Sequence, residues 1–398
     1  IAKVLEITLN NGRCKGKQLG PKTGELEELD SMEKILAAYQ KQMEYFVRHL
    51  AKADNAVDYA HMERAPLPFM SAMVDDCIKR GKSCQEGGAI YNFTGPQAFG
   101  IADAGDSLYA IQKNVFEDKR ITLKELRDAL EANFGYSDAA APICTPSISE
   151  ATLDEAQIYE AVKKILSSTG SIDIATLESH LKQGAGTSCG CKSQSDPSKY
   201  ATIHNILKNT DSFGNDLEEV DEFAYRCGKI YCNEVDKYMN PRGGQFQAGI
   251  YPVSANVLFG KDVAALPDGR LATEPLADGV SPRQGNDVNG PTAASNSVAK
   301  LDHAQASNGT LYNQKFTPAA VSGEQGLKNF VSIIKSFFDK KGSHVQFNVV
   351  DKQTLINAQE HPEDNQDLIV RVAGYSAHFV TLAKEVQDDI INRTEHDM

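Results

Sequence analysis

The sequence predicts an α/β fold with a parallel sheet, open or closed, and three patterns carry the prediction. From Leu311 onward, strand-like runs alternate with helical ones, which is the order that βαβ units give. In "HVQFNVV", Val345, Phe347 and Val349 share one face while His344, Gln346 and Asn348 share the other. One polar inner face in a sheet otherwise covered by helices suits a barrel that encloses a site. Upstream, apolar residues recur at helical spacing over long stretches, which supplies a covering layer.

The chain opens on "IAKVLEITLNNG", a helix-like run that begins at Ile1 without a cap and reads as the continuation of a missing N-terminal part. From Ser31 to Arg64, Ile35, Tyr39, Met43, Phe46 and Leu50 recur every three or four positions and predict one long helix. The glycine-rich "GGAIYNFTGPQAFGIADAGDSL" then leads into a second helix. In "ITLKELRDALEANFG", Thr122 and Glu125 stand at capping-box spacing and Gly135 is a stop signal. Residues 137–199 differ in character and read as an insertion, a small helical and flexible module between a helix-rich part (1–136) and a C-terminal part (200–398). The insertion holds a Pro/Ala/Ser run, then a capped helix from Thr152 with Glu155 as box partner. It ends on "KQGAGTSCGCKSQSDPS", small and polar enough for a flexible surface loop. After Asp211 a helix in "NDLEEVDEFAYRCGKIYCNEVDKYM" precedes the glycine-punctuated "NPRGGQFQAGIYPVSANVLFG". The remainder predicts a strand at Leu311 to Phe316, an amphipathic helix from about Glu324 to Lys340, "HVQFNVV", a short helix, "DLIVRV" and a final helix.

Bulk properties narrow the function classes. The 398 residues carry a formal net charge of −13 with no long basic block, so a nucleic-acid or anionic-membrane surface has little support. No stretch approaches the roughly 18 apolar residues of a spanning helix, and no basic-then-apolar signal region opens the chain. A cytoplasmic location is the expectation. Eight cysteines are too sparse for a disulfide scaffold and fit a reducing compartment.

Most chemical motifs fail on spacing. Cys189 and Cys191 lack a second pair at zinc-ribbon distance and read as loop thiols, while Cys227 and Cys232 read as core thiols. No metal site is expected. The glycine-rich stretches match neither a Walker loop nor a dinucleotide fingerprint, and no nucleophile elbow occurs. Cys84 and Glu86 form a Cys-x-Glu that could pair a thiol with a proton acceptor, but a structural cysteine is the preferred reading.

There remains "DLIVRVAGYSAHFV", where a strand-like run ends on one glycine before a helix is expected to start. Read alone, Gly374 supplies a turn and Arg371 an ion pair. Glycine has a further property: loss of one Cα hydrogen leaves a carbon that flattens between a donating amide nitrogen and a withdrawing carbonyl, and both neighbours stabilise the radical.

With those residues in view the chain resembles the glycyl radical enzymes, nearest to their dehydratase and lyase branch. The resemblance runs in order through "HMERAPLPFMSAMVDDCIKRGKS", "GGAIYNFTGPQAFGIADAGDSL", "YMNPRGGQFQAGIYPVSANV", "ALPDGRLATEPLADGVSP", "GPTAASNSVAKLDHAQASNGTLYNQKF", "SHVQFNVVDKQTL" and "RVAGYSAHF". It implies the C-terminal part of a ten-stranded α/β barrel with a central glycine finger loop, and a glycyl radical domain at about 275–398. Gly374 would store the radical, with Arg371, Val372, Ala373, Tyr375 and Ser376 shaping the loop. The final helix, with Phe379, Leu382, Val386 and Ile390 on one stripe, would clamp the loop to the barrel. An activating enzyme with an iron–sulfur cluster and S-adenosylmethionine would install the radical, and the protein would bind no metal, nucleotide or flavin of its own. A homodimer, an anaerobic setting and oxygen sensitivity are implied too, and enclosure in a microcompartment is compatible with it.

The family's "GCVE"-type loop, which supplies the thiol that relays the radical and a glutamate base, is absent. The catalytic Cys and Glu are expected outside this chain, and Cys84 does not take the thiol role. The implied function is a lyase that eliminates water or an amine from a small hydroxylated substrate. The alternatives are a pyruvate formate-lyase-type acetyltransferase or decarboxylase, and a non-catalytic spare radical domain acting with a separate partner. Tyr312, Asn313 and Gln314 are candidate cavity-lining residues. The fragment alone is expected to be inactive.

Overall fold

The structure is a computed structural model that describes residues 1–25, 28–136 and 197–397. The expected insertion and Cys189 and Cys191 lie, but for its last three residues, outside the described residues. The centre of the covering layer is a crossing of two helices, Ile101–Ile111 and Glu218–Val235. Every residue of the first is buried. Two glycines make the crossing close: a Cβ on Gly105 would come within 2.8 Å of the Ala224 backbone, and one on Gly228 within 2.8 Å of Ile101 Cδ1. Glycine costs about 1 kcal/mol against alanine inside a helix, so the contact it permits must outweigh that penalty.

The long helix Met32–Arg64 starts where expected, with Ser31 Oγ accepting the Lys34 N–H. Ile35, Tyr39 and Met43 are buried as predicted, but the stripe continues through Val47 and Ala51 while Leu50 is 39% exposed. Helical rotation carries position 50 off the face that packs on the core. The capping box at Leu123–Glu131 forms: Thr122 Oγ1 accepts the Glu125 N–H and Glu125 returns the bond to Thr122 N.

The strands are short. An antiparallel hairpin joins β1 (Arg13–Cys14) to β2 (Lys17–Gln18). A parallel sheet that the alternating pattern from Leu311 onward did not include runs from β3 (Gln97–Ala98) to β4 (Gly249–Ile250) to β5 (Gly309–Thr310). Two residues on, the same stretch of chain becomes β6 (Asn313–Phe316), parallel to β7 (Gln346–Val349) on one side and to β10 (Glu395–His396) on the other. The last pair is the antiparallel hairpin of β8 (Ile369–Arg371) and β9 (Ser376–His378).

Two loops position the staves. Buried Arg270 donates to the carbonyls of Gly260, Val263, Ala264 and Glu274 and gathers the loop around itself. That loop then delivers Val280, whose N–H reaches Leu311 O at 2.9 Å, and Ser281, whose Oγ accepts the Asn313 N–H at 3.0 Å.

The C-terminal end differs from expectation in one respect. The final helix is Lys384–Asn392, so Phe379 and Leu382 precede it, and the chain after Gly374 first returns as β9. The cause is the tight turn: once Val372 N–H bonds to Tyr375 O, the ladder continues through Arg371↔Ser376, Val370↔Ala377 and Ile369↔His378. Phe379 and Ile390 still meet, in a small apolar cluster with Leu355, Ala358, Val370, Val372 and Ile391 that is separate from the main core.

Candidate active site

The tip of the β8–β9 hairpin is Ala373–Gly374. Gly374 has φ +81°, the left-handed region where a side chain is strained, and its only close neighbour on the Cβ side is Leu311 Cδ1 at 3.7 Å. Conformation, not crowding, therefore demands glycine here. Val372 and Ala373 are buried while Gly374, Tyr375 and Ser376 are exposed, so the hairpin is rooted on one side and open at its tip.

The polar face of "HVQFNVV" is what holds it. Contrary to the usual burial order, Gln346 and Asn348 are buried and Phe347 and Val349 are not. Asn348 pairs with both backbone groups of Arg371: its Oδ1 accepts the N–H and its Nδ2 donates to the carbonyl, each at 2.8 Å. A primary amide so placed mimics a neighbouring strand. Gln346 Oε1 accepts from Gly374 N–H at 3.1 Å and from Arg371 Nε at 3.0 Å. Its Nε2 donates to Asn313 Oδ1 and to Val372 O. Asn313 Nδ2 in turn donates to Asp278 Oδ2.

From the other side come Arg371 itself and Arg393. Arg371 Nη2 donates to Gly374 O at 3.2 Å and Nη1 to Ser376 Oγ at 3.3 Å. Arg393 Nη1 donates to Val372 O at 2.9 Å, and its Nη2 lies 3.1 Å from Asp389 Oδ2 and 3.3 Å from Asp278 Oδ2. Burial holds the Asp389 carboxyl above the usual carboxylate range, with Arg393 opposing the shift. Beneath, Lys315 Nζ donates to Ile391 O at 2.9 Å, and burial lowers its ammonium to about 8. His344 is likewise lowered, by burial and by the nearby Arg371 charge.

Of the three candidate cavity residues, Asn313 faces this cradle. Tyr312 and Gln314 stand on the opposite, helix-covered face, where Gln314 Nε2 donates to the Tyr312 hydroxyl at 2.7 Å and Phe337 packs 5.5 Å from the Tyr312 ring. Gln346, Asn348, Asp278 and Arg393 were not named as site residues from sequence. The alternation in "HVQFNVV" was the available signal for the first two, and nothing local marked the others.

Cys84 and Glu86 occupy a turn of their own. Glu86 is taken up by Ser83 in a capping box, and Cys84 meets Ser71, whose Oγ accepts the Cys84 N–H at 3.0 Å. Among the described residues no group of three His, Cys, Asp or Glu could hold a metal ion, and no helix is long and apolar enough to cross a membrane. What the cradle can do chemically is fix the two peptide planes that flank the Gly374 Cα: Gln346 holds the one with its nitrogen and Arg371 the one with its carbonyl.

Residues 1–260 match the family model for pyruvate formate lyase-like proteins, and residues 276–380 match that for the glycine radical. Trans-4-hydroxy-L-proline dehydratase of Clostridioides difficile is 36% identical over 397 residues, 99% of this chain and 42% of the relative. The glycerol-bound B12-independent glycerol dehydratase from Clostridium butyricum superposes with a TM-score of 0.81 at 48% identity, over 100% of this chain and 42% of that one. A structure from Roseburia inulinivorans concerned with 1,2-propanediol dehydration gives 0.82 at 48% identity, over 99% of this chain and 42% of that one. The chain thus spans well under half the length of the relatives it matches.

Proposed function

Because the chain belongs to the pyruvate formate lyase-like glycyl radical enzymes, we propose that it is the radical-storing part of a lyase that eliminates water or another leaving group from a small hydroxylated substrate. The observation that carries the proposal is the double grip on Gly374 at the tip of the hairpin, at N–H by Gln346 and at C=O by Arg371.

The steps balance in hydrogen atoms. Gly374 Cα would give up one hydrogen atom to the activating enzyme, for which S-adenosylmethionine would supply the hydrogen acceptor. The unpaired electron stays on Cα, shared with the adjoining nitrogen and carbonyl. A cysteine in the part of the enzyme outside this chain then returns a hydrogen atom to Cα and becomes the thiyl that attacks substrate. This chain's residues orient the glycine and fix the peptide groups on either side of its Cα, while the chemistry begins elsewhere. The named relatives act on hydroxylated small molecules, which supports water as the leaving group.

The test is anaerobic electron paramagnetic resonance on the chain joined to its upstream part, after treatment with an activating enzyme and S-adenosylmethionine, beside Gly374→Ala. A doublet absent from the variant, and a short C-terminal fragment released on exposure to air, are expected. A well-folded protein and a competent activase that give no doublet would overturn the reading. Turnover of pyruvate or an arylacetate in place of diols would overturn the dehydratase assignment alone.

A further inference from the structure

The two hydrogen bonds on Gly374 point in opposite electronic senses, and that is more than a loop needs. Positioning would be served by any pair of contacts. Here the N–H donates to a carbonyl oxygen, Gln346 Oε1, at 3.1 Å, while the C=O accepts from a guanidinium, Arg371 Nη2, at 3.2 Å. The first makes the nitrogen more electron-donating and the second makes the carbonyl more electron-withdrawing. A carbon radical between an amide nitrogen and a carbonyl draws its stabilisation from those two tendencies.

We infer that Gln346 and Arg371 form a push–pull pair that tunes the stored radical, an inference resting on the radical role proposed for Gly374. Two features of the surroundings support it. The Gln346 oxygen stands at the end of a directional relay: Gln346 Nε2 donates to Asn313 Oδ1, and Asn313 Nδ2 donates to the carboxylate of Asp278. In a low-dielectric setting such chains polarise each successive member, so the negative end of the relay enriches the oxygen that faces Gly374 N–H. Gln346, Asp278 and the Asn348 that fixes Arg371 are all buried, which shields the nitrogen side of the pair from solvent, whereas the bond from Arg371 to Gly374 O is exposed. Arg371 Nε bonds the same Gln346 oxygen at 3.0 Å and holds it beside the nitrogen; as a cationic donor it draws density from that oxygen, which the relay from Asp278 offsets.

The arrangement favours the radical over the parent glycine. Removing the hydrogen atom shifts density from nitrogen toward the carbonyl oxygen through the flattened carbon, so the N–H becomes a better donor and the oxygen a better acceptor. Both bonds strengthen when the radical forms, and contacts that tighten only in one state shift the equilibrium toward that state. Spin leaves Cα for nitrogen and oxygen in the same step.

Spin distribution gives a readout that a merely structural role would not move. The experiment is paramagnetic resonance with nuclear double resonance on activated, [15N]glycine-labelled protein. Wild type is compared with Gln346→Met, which keeps length and removes the acceptor, and with Arg371→Met. Gln346→Glu and Asn313→Val, which alter the push without emptying the cradle, complete the set. The two methionine variants and Asn313→Val are expected to widen the α-proton doublet and lower the 15N coupling. Gln346→Glu is expected to narrow the doublet and raise the coupling. Unchanged splitting and coupling in every variant that bears a radical, or shifts of the opposite sign, would overturn the inference. Where the methionine variants fail to accept the radical, Gln346→Glu and Asn313→Val decide it on the same criterion. Absence of the doublet from wild type would instead overturn the radical role itself.

Discussion

Arg393→Met removes the cation that ties the last residues of the chain to the Gly374 hairpin, and its consequence can be worked from the contacts. Arg393 is buried, gives one bond to Val372 O at 2.9 Å, and sits between Asp389 and Asp278, both buried. Removing one partner of a buried ion pair costs about 3–5 kcal/mol because the remaining charge is left uncompensated. The carboxylates here keep other donors: Gln284 Nε2 reaches Asp389 Oδ1 at 2.7 Å, and Asn313 serves Asp278. The lower end, about 3 kcal/mol, is therefore expected, which corresponds to roughly two powers of ten in local opening. The assay is hydrogen exchange of the amides from Val370 to Phe379. The pH dependence has a definite sign. Asp389 already has a folded-state pKa above its unfolded value, so its ionisation works against the fold and stability falls as pH rises through that folded pKa. Loss of Arg393 pushes the value further up, so the defect should be largest at neutral and alkaline pH and shrink as acid neutralises Asp389. Adding Asp389→Asn to the variant should recover part of the loss. Unchanged hairpin exchange, or a defect equal at all pH values, would refute the reasoning.

Other expected outcomes test separate parts of the fold. Lys315, lowered to about 8 by burial, should make wild-type stability rise between about pH 8 and the unfolded lysine value near 10.4, since only the unfolded state holds the proton in that window; Lys315→Met should lack the rise in urea titrations. Gly105→Ala should destabilise by about 1–3 kcal/mol by overpacking against the Ala224 backbone, even though alanine is the better helix former, and a stabilised variant would contradict the close crossing. Replacing residues 139–195 by a short linker should leave radical formation intact, because the flanks meet: the His204 ring stacks on Phe134 at 4.6 Å and touches Tyr136 at 5.4 Å. Phe379→Ala should cost about 3–5 kcal/mol and be felt as proteolysis within residues 350–397, with the helical core still protected.

The parts of the molecule that were legible in sequence are those governed by local rules. The capping box at Thr122 and Glu125 is a contact between residues three apart, so spacing alone reveals it. The two-faced pattern of "HVQFNVV" likewise follows from the pleat, and the polar face does turn inward. The limit was reached where the partner is distant. Arg393 reads as one charged residue in a polar tail, and only folding brings it to Val372 and Asp278. The stretch after Gly374 was expected to be helical because Phe379, Leu382, Val386 and Ile390 fit the helical period; the periodicity could not show that the turn returns the chain as a strand first. Tyr312 and Gln314 illustrate the same gap, since alternation on a strand says which residues share a face but not which face is covered by helices.

The way the hairpin is attached bears on what it does. Its apolar side chains, Val370, Val372 and Phe379, pack into a small cluster of their own instead of merging with the main core. Around the tip the joint to the staves is made by Gln346, Asn348 and Arg393, which bond backbone atoms of residues 371 to 374. Apolar contact is non-directional and would tolerate small rotations of the hairpin. Amide and guanidinium bonds are directional, so each one specifies the orientation of a peptide group. A site whose task was only to be stable would gain more from an apolar seam there, because each buried polar group must first offset its own desolvation. The polar joint is the expected solution when the tilt of the peptide planes leading to Gly374 matters, and the last of them, held by Gln346, contains the nitrogen of Gly374.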